Sequence, residues 1–210
     1  MTPPPVRAPR RARTREAGDI PPADLVVVGC SAGGPPALQT VLPALPRGTS
    51  TSALVAQHMP ARFTSLFAGR LARLCALPVI EPVDGAPLLP GHIYIAAGGM
   101  QTTLERSSRG IVFRVRQRGE GERYAPSADL MMGSAARLFG ARALAILLTG
   151  MGSDGVVGLR DIKGRRGRTV AESEETATVF GMPREAIRAG LADQILPLPE
   201  IRSLLARVCR

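Results

Sequence analysis

Tryptophan is absent from this sequence. Aromatic residues of all kinds make up 3 %, and 210 residues include only two histidines and three cysteines. Each scarcity excludes something. Sequence-tolerant binding of single-stranded nucleic acid rests on aromatic stacking platforms, so the shortage of aromatics argues against that class. The cysteines, Cys30, Cys75 and Cys209, are odd in number, widely spaced and never arranged as CxxC. That pattern speaks against a disulfide framework or a structural zinc site. His58 and His92 are too few for a histidine-rich metal centre, so neither metal nor cofactor is expected. No apolar run approaches the roughly 18 residues that suggest a membrane span. The N-terminus carries no apolar signal-peptide segment. Both absences point to the cytoplasm, without membrane insertion.

Basic residues, by contrast, are in excess. The net charge is +10, a balance that favours acidic partners. Residues 1–22 hold five arginines against Glu16 and Asp19, so 5 − 2 = +3 of this charge lies there. That segment is rich in Pro and Arg and lacks hydrophobic periodicity, which predicts a disordered basic tail. Residues 23–210 are expected to form one domain, with enough apolar residues (45 % of the chain) for a substantial core.

Within that domain, short apolar runs alternate with helical patterns. Leu25-Val26-Val27-Val28 reads as a buried parallel strand ended by glycine. Leu38, Val41, Leu42 and Leu45 then fall on one helical face, after Pro35 and Pro36 at the helix start. Ala53 to Ala56 is a second strand, and Phe63 to Leu74 a second helix. Leu88 to Ile95 reads as a turn into a strand. Ile111, Phe113 and Val115 alternate with less buried positions after the turn Ser107-Ser108-Arg109-Gly110, predicting an antiparallel hairpin near one sheet edge. Ser127 is a candidate N-cap for a third helix. Ala143 to Leu148 is a third buried strand, Arg168 to Ala171 a further one, and helices follow Asp154, Pro183 and Ile201. Such alternation predicts a doubly wound α/β fold with a mainly parallel sheet and helices on both faces.

In such folds, sites lie beyond the carboxyl ends of the strands. Three predicted strand ends carry Ser31, His58 and Asp154. Gly29-Cys30-Ser31-Ala32-Gly33 matches G-x-S-x-G between a strand and a helix, a turn that exposes a serine hydroxyl. A serine needs an adjacent base to become a nucleophile. His58 can take that proton, and an aspartate behind it would fix the tautomer. The order Ser, His, Asp differs from the Ser, Asp, His order of the α/β-hydrolases. Plainer readings stand beside this one. Ser31 and Asp154 each fit a helix N-cap, His58 fits a hydrogen-bonded structural histidine, and His92 belongs to a turn. A nucleotide site fits poorly, because the glycines lack G-x-G-x-x-G spacing and no G-K-[ST] follows. Nucleic-acid binding through the arginine tail is a further alternative. Lys163, Arg165, Arg166 and Arg168 read as a solvated face at a helix end.

At these residues the sequence resembles the catalytic domain of the CheB chemoreceptor methylesterases. The resemblance rests on Val28 to Gly34, Gln57-His58-Met59-Pro60, Leu89 to Ala96, Pro126-Ser127-Ala128-Asp129, Leu148 to Gly155 and Val179 to Ile187, in order and without large gaps. It implies hydrolysis of glutamate methyl esters on chemoreceptor cytoplasmic helices, with release of methanol, and deamidation of receptor glutamines. It places the nucleophile on Ser31, the base on His58, the acid on Asp154 and an oxyanion donor on the backbone N–H of Met151. The acidic methylated region of such receptors would suit a basic enzyme. Ala32 stands where some members have Thr, and Ala125 where many have Arg. Members usually carry an N-terminal receiver domain. The roughly 23 residues before the first strand are too few for one, so a standalone catalytic domain is expected, with any response regulator a separate partner. A catalytically silent regulatory module of the same fold is the competing reading.

Overall fold

The computed structural model describes residues 20–209. Residues 1–19 of the segment expected to be a tail lie outside the described residues. Ile20, also within that segment, is buried and joins the core. The elements run β1 (Leu25–Cys30), α1 (Gly34–Val41), β2 (Ser52–Gln57), α2 (Ala61–Ala72), β3 (Val79–Ile80), β4 (Ile93–Ile95), β5 (Met100–Ser107), β6 (Gly110–Gln117) and α3 (Ala128–Phe139). The second half adds β7 (Ala143–Leu147), α4 (Val156–Gly164), β8 (Arg168–Glu172), α5 (Met182–Arg188), β9 (Gln194–Leu196) and α6 (Leu198–Val208).

Seven strands form one parallel sheet in the order β3-β4-β2-β1-β7-β8-β9. All six residues of β1 are buried, because the strand is central and covered on both faces. Its side chains alternate between the two layers. Val26, Val28 and Cys30 enter a core shared with Leu38 and Val41 of α1, Phe67 and Leu71 of α2, and Leu204 and Leu205 of α6. Leu25 and Val27 face the opposite core, with Met131 and Met132 of α3, Leu159 and Ile162 of α4, and Ala186 of α5. Burying each large apolar side chain contributes about 1.5–3 kcal/mol, and the strand-by-strand alternation lets one sheet anchor both layers.

The hairpin forms, but as a two-stranded sheet of its own. It packs on α3 and reaches the main sheet near its β3 edge, where Phe113 meets the Tyr94 ring at 4.6 Å between centroids. Two strands escaped the sequence reading. Val79–Ile80 and Gln194–Leu196 have two and three residues, too few to display a period. Lys163, read as part of a solvated basic face, pairs with Asp193 just before β9.

β1 lies where the winding reverses. The chain passes from it to β2 on one side and returns to β7 on the other. Loops leaving β1, β2 and β7 therefore meet at one end of the sheet, the position such folds use for ligands.

Close packing of α3 on this centre has a direct test. A methyl at Gly29 would lie 2.8 Å from Ala128 Cβ and 2.9 Å from Leu147 Cδ1. Gly29→Ala is therefore expected to push the start of α3 off the sheet and destabilise by about 1–3 kcal/mol. Thermal unfolding should register a drop of about 3–10 °C; an unchanged midpoint would mean that α3 absorbs the methyl freely.

Candidate active site

Ser31 follows directly on β1. Its N–H donates to Thr149 O at 3.0 Å, which ties this turn to the loop after β7. Thr149 reinforces the tie, its hydroxyl donating to Ala32 O at 2.9 Å. Gly33 turns the chain with φ +80°, and a Cβ there would lie 2.6 Å from Thr178 Cβ, so conformation and space both demand glycine. Gly150 is pressed against the serine as well: a Cβ on it would sit 2.8 Å from Ser31 Cβ. The serine caps no helix. The cap position of α1 is Gly33, and no side chain bonds there.

His58 follows β2, the neighbouring strand. Its N–H donates to Cys30 O at 3.0 Å, so Ser31 and His58 leave adjacent strand ends side by side. Buried Gln57 locks the pair, its amide donating to Ser31 O at 2.9 Å and to His58 O at 3.0 Å. The imidazole then meets Asp154, with 2.7 Å between Nε2 and Oδ2. Sequence reasoning thus named two side chains that touch across 96 residues, and a third that the same loops hold beside them.

Asp154 does not cap the helix that follows it. Its carboxylate points to the start of α3, where Oδ2 accepts from Ala128 N–H at 2.7 Å and Oδ1 from Asp129 N–H at 3.0 Å. The Ser127 hydroxyl donates to Oδ1 at 2.9 Å while accepting from Leu130 N–H at 3.3 Å, so one N-cap serves helix and carboxylate together. Burial, the largest influence, pushes this carboxyl up. The hydrogen bonds from His58, Asp129 and Ala128, with the attraction of the imidazole charge, more than offset it and hold Asp154 below the usual carboxylate range. The carboxylate is thus ionised at neutral pH. Nε2 carries the proton that it accepts, and Nδ1 is left as the basic atom of the ring.

Asp129 returns the favour to α4. Its Oδ1 accepts from Gly155 N–H at 2.8 Å and Gly158 N–H at 2.7 Å. Each of the two helices is therefore capped by an aspartate belonging to the other's entry. Burial first, and then the charge of Asp154, push Asp129 up despite these bonds.

Three contributors were missed by sequence reasoning. Ser127 was read as an N-cap only, and Asp129 appeared in a matching motif without a role. Tyr124 carried no signal at all, yet its ring stacks on His58 with centroids 4.7 Å apart and planes 8° from parallel. His92 sits elsewhere, its Nδ1 bonded to Pro90 O at 2.7 Å in the turn before β4. Cys30, beside the serine, is wholly buried, and that burial raises its thiol far above the ordinary value, so it stays protonated. Met151 is 71 % exposed, at the rim of an open cleft of about 630 Å³ that also includes Gly152, Phe180 and Arg184. Among the described residues, no group of three or more His, Cys, Asp or Glu is placed to hold a metal ion.

Two measurements probe this framework. Ser127→Ala removes a helix cap, worth about 1 kcal/mol, and a bond to a charged group, worth roughly 1.5–3 kcal/mol. A stability loss of about 2 kcal/mol or more is expected in denaturant unfolding, and a loss below about 0.5 kcal/mol would deny the hydroxyl this double role. The second concerns Glu172, a buried carboxyl that accepts from Thr149 N–H at 2.7 Å and the Thr176 hydroxyl at 2.9 Å. Burial dominates these bonds and raises its value above the ordinary range. A raised carboxyl contributes stability that is complete below its unfolded value and is lost as pH rises through the folded one. Glu172→Gln abolishes that loss, so its melting temperature relative to the wild type should be higher at pH 8 than at pH 5. Equal differences at both pH values would contradict the raised value.

Comparison with known proteins converges on one family. A "Protein-glutamate methylesterase/protein-glutamine glutaminase 3" of Geobacter sulfurreducens is 45 % identical over 186 residues, covering 89 % of this chain and 50 % of that protein. A numbered relative of the same name from Anaeromyxobacter dehalogenans is 47 % identical over 186 residues, covering 89 % of this chain and 51 % of its own length. The chain thus spans about half the length of these relatives. The crystal structure of the Thermotoga maritima CheB methylesterase catalytic domain superposes with a TM-score of 0.84 at 35 % identity, covering 89 % of this chain and 98 % of that one. The sequence model of the family described as CheB methylesterase matches residues 26–205, and the chain belongs to that family.

Proposed function

We propose that this chain is a serine hydrolase that removes methyl groups from glutamate methyl esters on chemoreceptor helices, and deamidates receptor glutamines at the same site. The observation that carries the reading is the 2.7 Å pair between His58 Nε2 and an ionised Asp154, beside the tightly turned Ser31. The relatives' names, which pair methylesterase with glutaminase, support the two substrates. Residues 23–210 are proposed as the catalytic unit, with Ile20 packing onto it.

The bond between His58 and Asp154 supports the following roles. Ser31 Oγ attacks the side-chain carbonyl and gives its proton to Nδ1 of His58. Asp154 keeps Nε2 protonated and stabilises the imidazolium that forms. The oxyanion is met by the backbone N–H of Met151 and of Ala32, which have no partner within the chain among the described residues. Collapse breaks the bond to the methoxy group, His58 returns the proton, and methanol leaves. Water then attacks the Ser31 ester by the same route, releasing the glutamate carboxylate and restoring the serine. With glutamine, the leaving group is ammonia. Both reactions are acyl transfers, so no second site is needed. An open cleft of about 630 Å³ lies beside Met151 and Gly152, lined also by Phe180 and Arg184 rather than by Ser31 or His58. Among the described residues, no helix is long and apolar enough to cross a membrane.

Methanol release from methyl-labelled chemoreceptor membranes tests the proposal. The wild type should release methanol, and Ser31→Ala should be slower by about 10⁴-fold or more. Equal release by both proteins would remove Ser31 from its role. No release by a folded wild type would favour a silent binding module on that receptor.

A further inference from the structure

The stack of Tyr124 on His58 is unused by the mechanism above, and it is built with care. Tyr124 lies in the irregular segment between β6 and α3, where nothing local would hold a side chain in place. Gln101 of β5, 1 % exposed, supplies the restraint. Its amide nitrogen donates to Tyr124 O at 2.7 Å and to Glu122 Oε2 at 3.2 Å, and its Oε1 accepts from Ser127 N–H at 3.0 Å. Gly99 N–H adds a bond to Ala125 O at 3.0 Å. Glu122 is itself gripped by Arg116, whose hydrogen bond is the main reason its carboxyl falls to about 2. The hairpin thus fixes residues 122–127 as a unit that delivers Tyr124 to the imidazole and Ser127 to Asp154.

The ring is confined on further sides. A Cβ on Gly152 would lie 2.6 Å from the Tyr124 hydroxyl, so the phenol rests on the loop that carries Met151 and Asp154. The Arg123 guanidinium lies 5.3 Å from the ring centroid. The Asp154 bond restrains one nitrogen of His58 but leaves the ring free to tilt about it. A parallel aromatic plane at 4.7 Å removes that freedom. Its π-face also attracts the positive charge that the imidazole acquires only when it takes the serine proton.

We propose that Tyr124 is a positioning residue for His58, holding the imidazole plane and favouring its charged form in the transition state through its ring rather than its hydroxyl. This inference rests on the hydrolase reading of Ser31 and His58. Because the imidazolium forms after substrate has bound, the gain belongs to kcat and not to KM. A cation held over a partly buried ring is worth a factor of about 3 to 30 in rate.

The test uses the full chain and a fluorophosphonate probe, so it does not depend on which ester is the natural substrate. The rate of Ser31 labelling, read by mass spectrometry, is compared for the wild type, Tyr124→Phe, Tyr124→Trp and Tyr124→Leu. Melting temperatures are recorded alongside. Labelling by Phe and Trp variants should stay within about threefold of the wild type, and the Leu variant should fall by about 3- to 30-fold. On methylated receptor, the Leu variant should lose kcat with KM within about twofold. The chain has two histidines, so the His58 ring protons are readily assigned by NMR. Their upfield ring-current shift should persist in the Phe variant and vanish in the Leu variant. Labelling of the Leu variant at the wild-type rate would overturn the proposal, as would equal losses in Phe and Leu, which would assign the effect to the hydroxyl. A rate that follows melting temperature across the series, rather than aromatic character, would reduce Tyr124 to packing. An unlabelled wild type would sink the hydrolase reading and this inference together.

Discussion

A buried negative charge organises this end of the molecule. The Asp154 carboxylate is 2 % exposed, and removing an ion from water costs several kcal/mol unless partners replace the lost hydration. Four donors do so: the His58 imidazole, the Ser127 hydroxyl and two backbone N–H groups at the start of α3. The helix dipole adds its positive end. All four donors must be in place for the charge to be tolerated. The cost of burial therefore becomes a constraint on where β2, β7 and α3 sit relative to one another. The charge that fixes the histidine tautomer is the same charge that ties the layers together.

From this point the restraints spread outward. α3 and α4 cap each other through Asp154 and Asp129, so neither helix can slide without exposing orphan N–H groups. Gln57 clamps the turns after β1 and β2, and Thr149 clamps the turn after β1 to the loop after β7. Gln101 carries the same rigidity into the accessory hairpin, which would otherwise be an appendage. Buried amides and hydroxyls with every partner supplied are well suited to this work, since a small displacement leaves them unsatisfied at a cost of about 1–3 kcal/mol each. The result is a site whose side chains are held by strand ends and helix starts rather than by mobile loops. That would suit the proposed acyl transfer, in which an error of about 1 Å in placement is costly.

Other residues shape the surroundings of this site. Tyr124, next to Ala125, presents an aromatic ring to the histidine. Glu172 places a second buried carboxyl behind the serine turn, bonded to the backbone of Thr149. Cys30 puts a thiol next to Ser31, yet burial keeps it protonated and its hydrogen goes to Gln57. The site therefore combines a carboxylate held below the ordinary range with neighbours that burial pushes above theirs.

The primary sequence determined the class of fold and the three strand ends that meet. Apolar runs bounded by glycine, alternating with helical periods, admit few arrangements other than a parallel sheet covered on both faces. G-x-S-x-G at the first turn marked a serine on its own. The very short strands at Val79 and Gln194 were illegible, because two or three residues carry no period. The partnership of His58 with Asp154 needed the fold, since only strand order brings residues 96 apart to 2.7 Å. So did the direction in which Asp154 caps. The plainer sequence reading pointed it at its own helix, whereas in the tertiary structure it faces the N–H groups at the start of α3 and the imidazole. Tyr124 lay in a segment without periodicity, and its place was decided by Gln101 of the β5–β6 hairpin. Local pattern selects elements by how they hide apolar surface. Which polar groups then face one another depends on contacts between elements, and no local period records those.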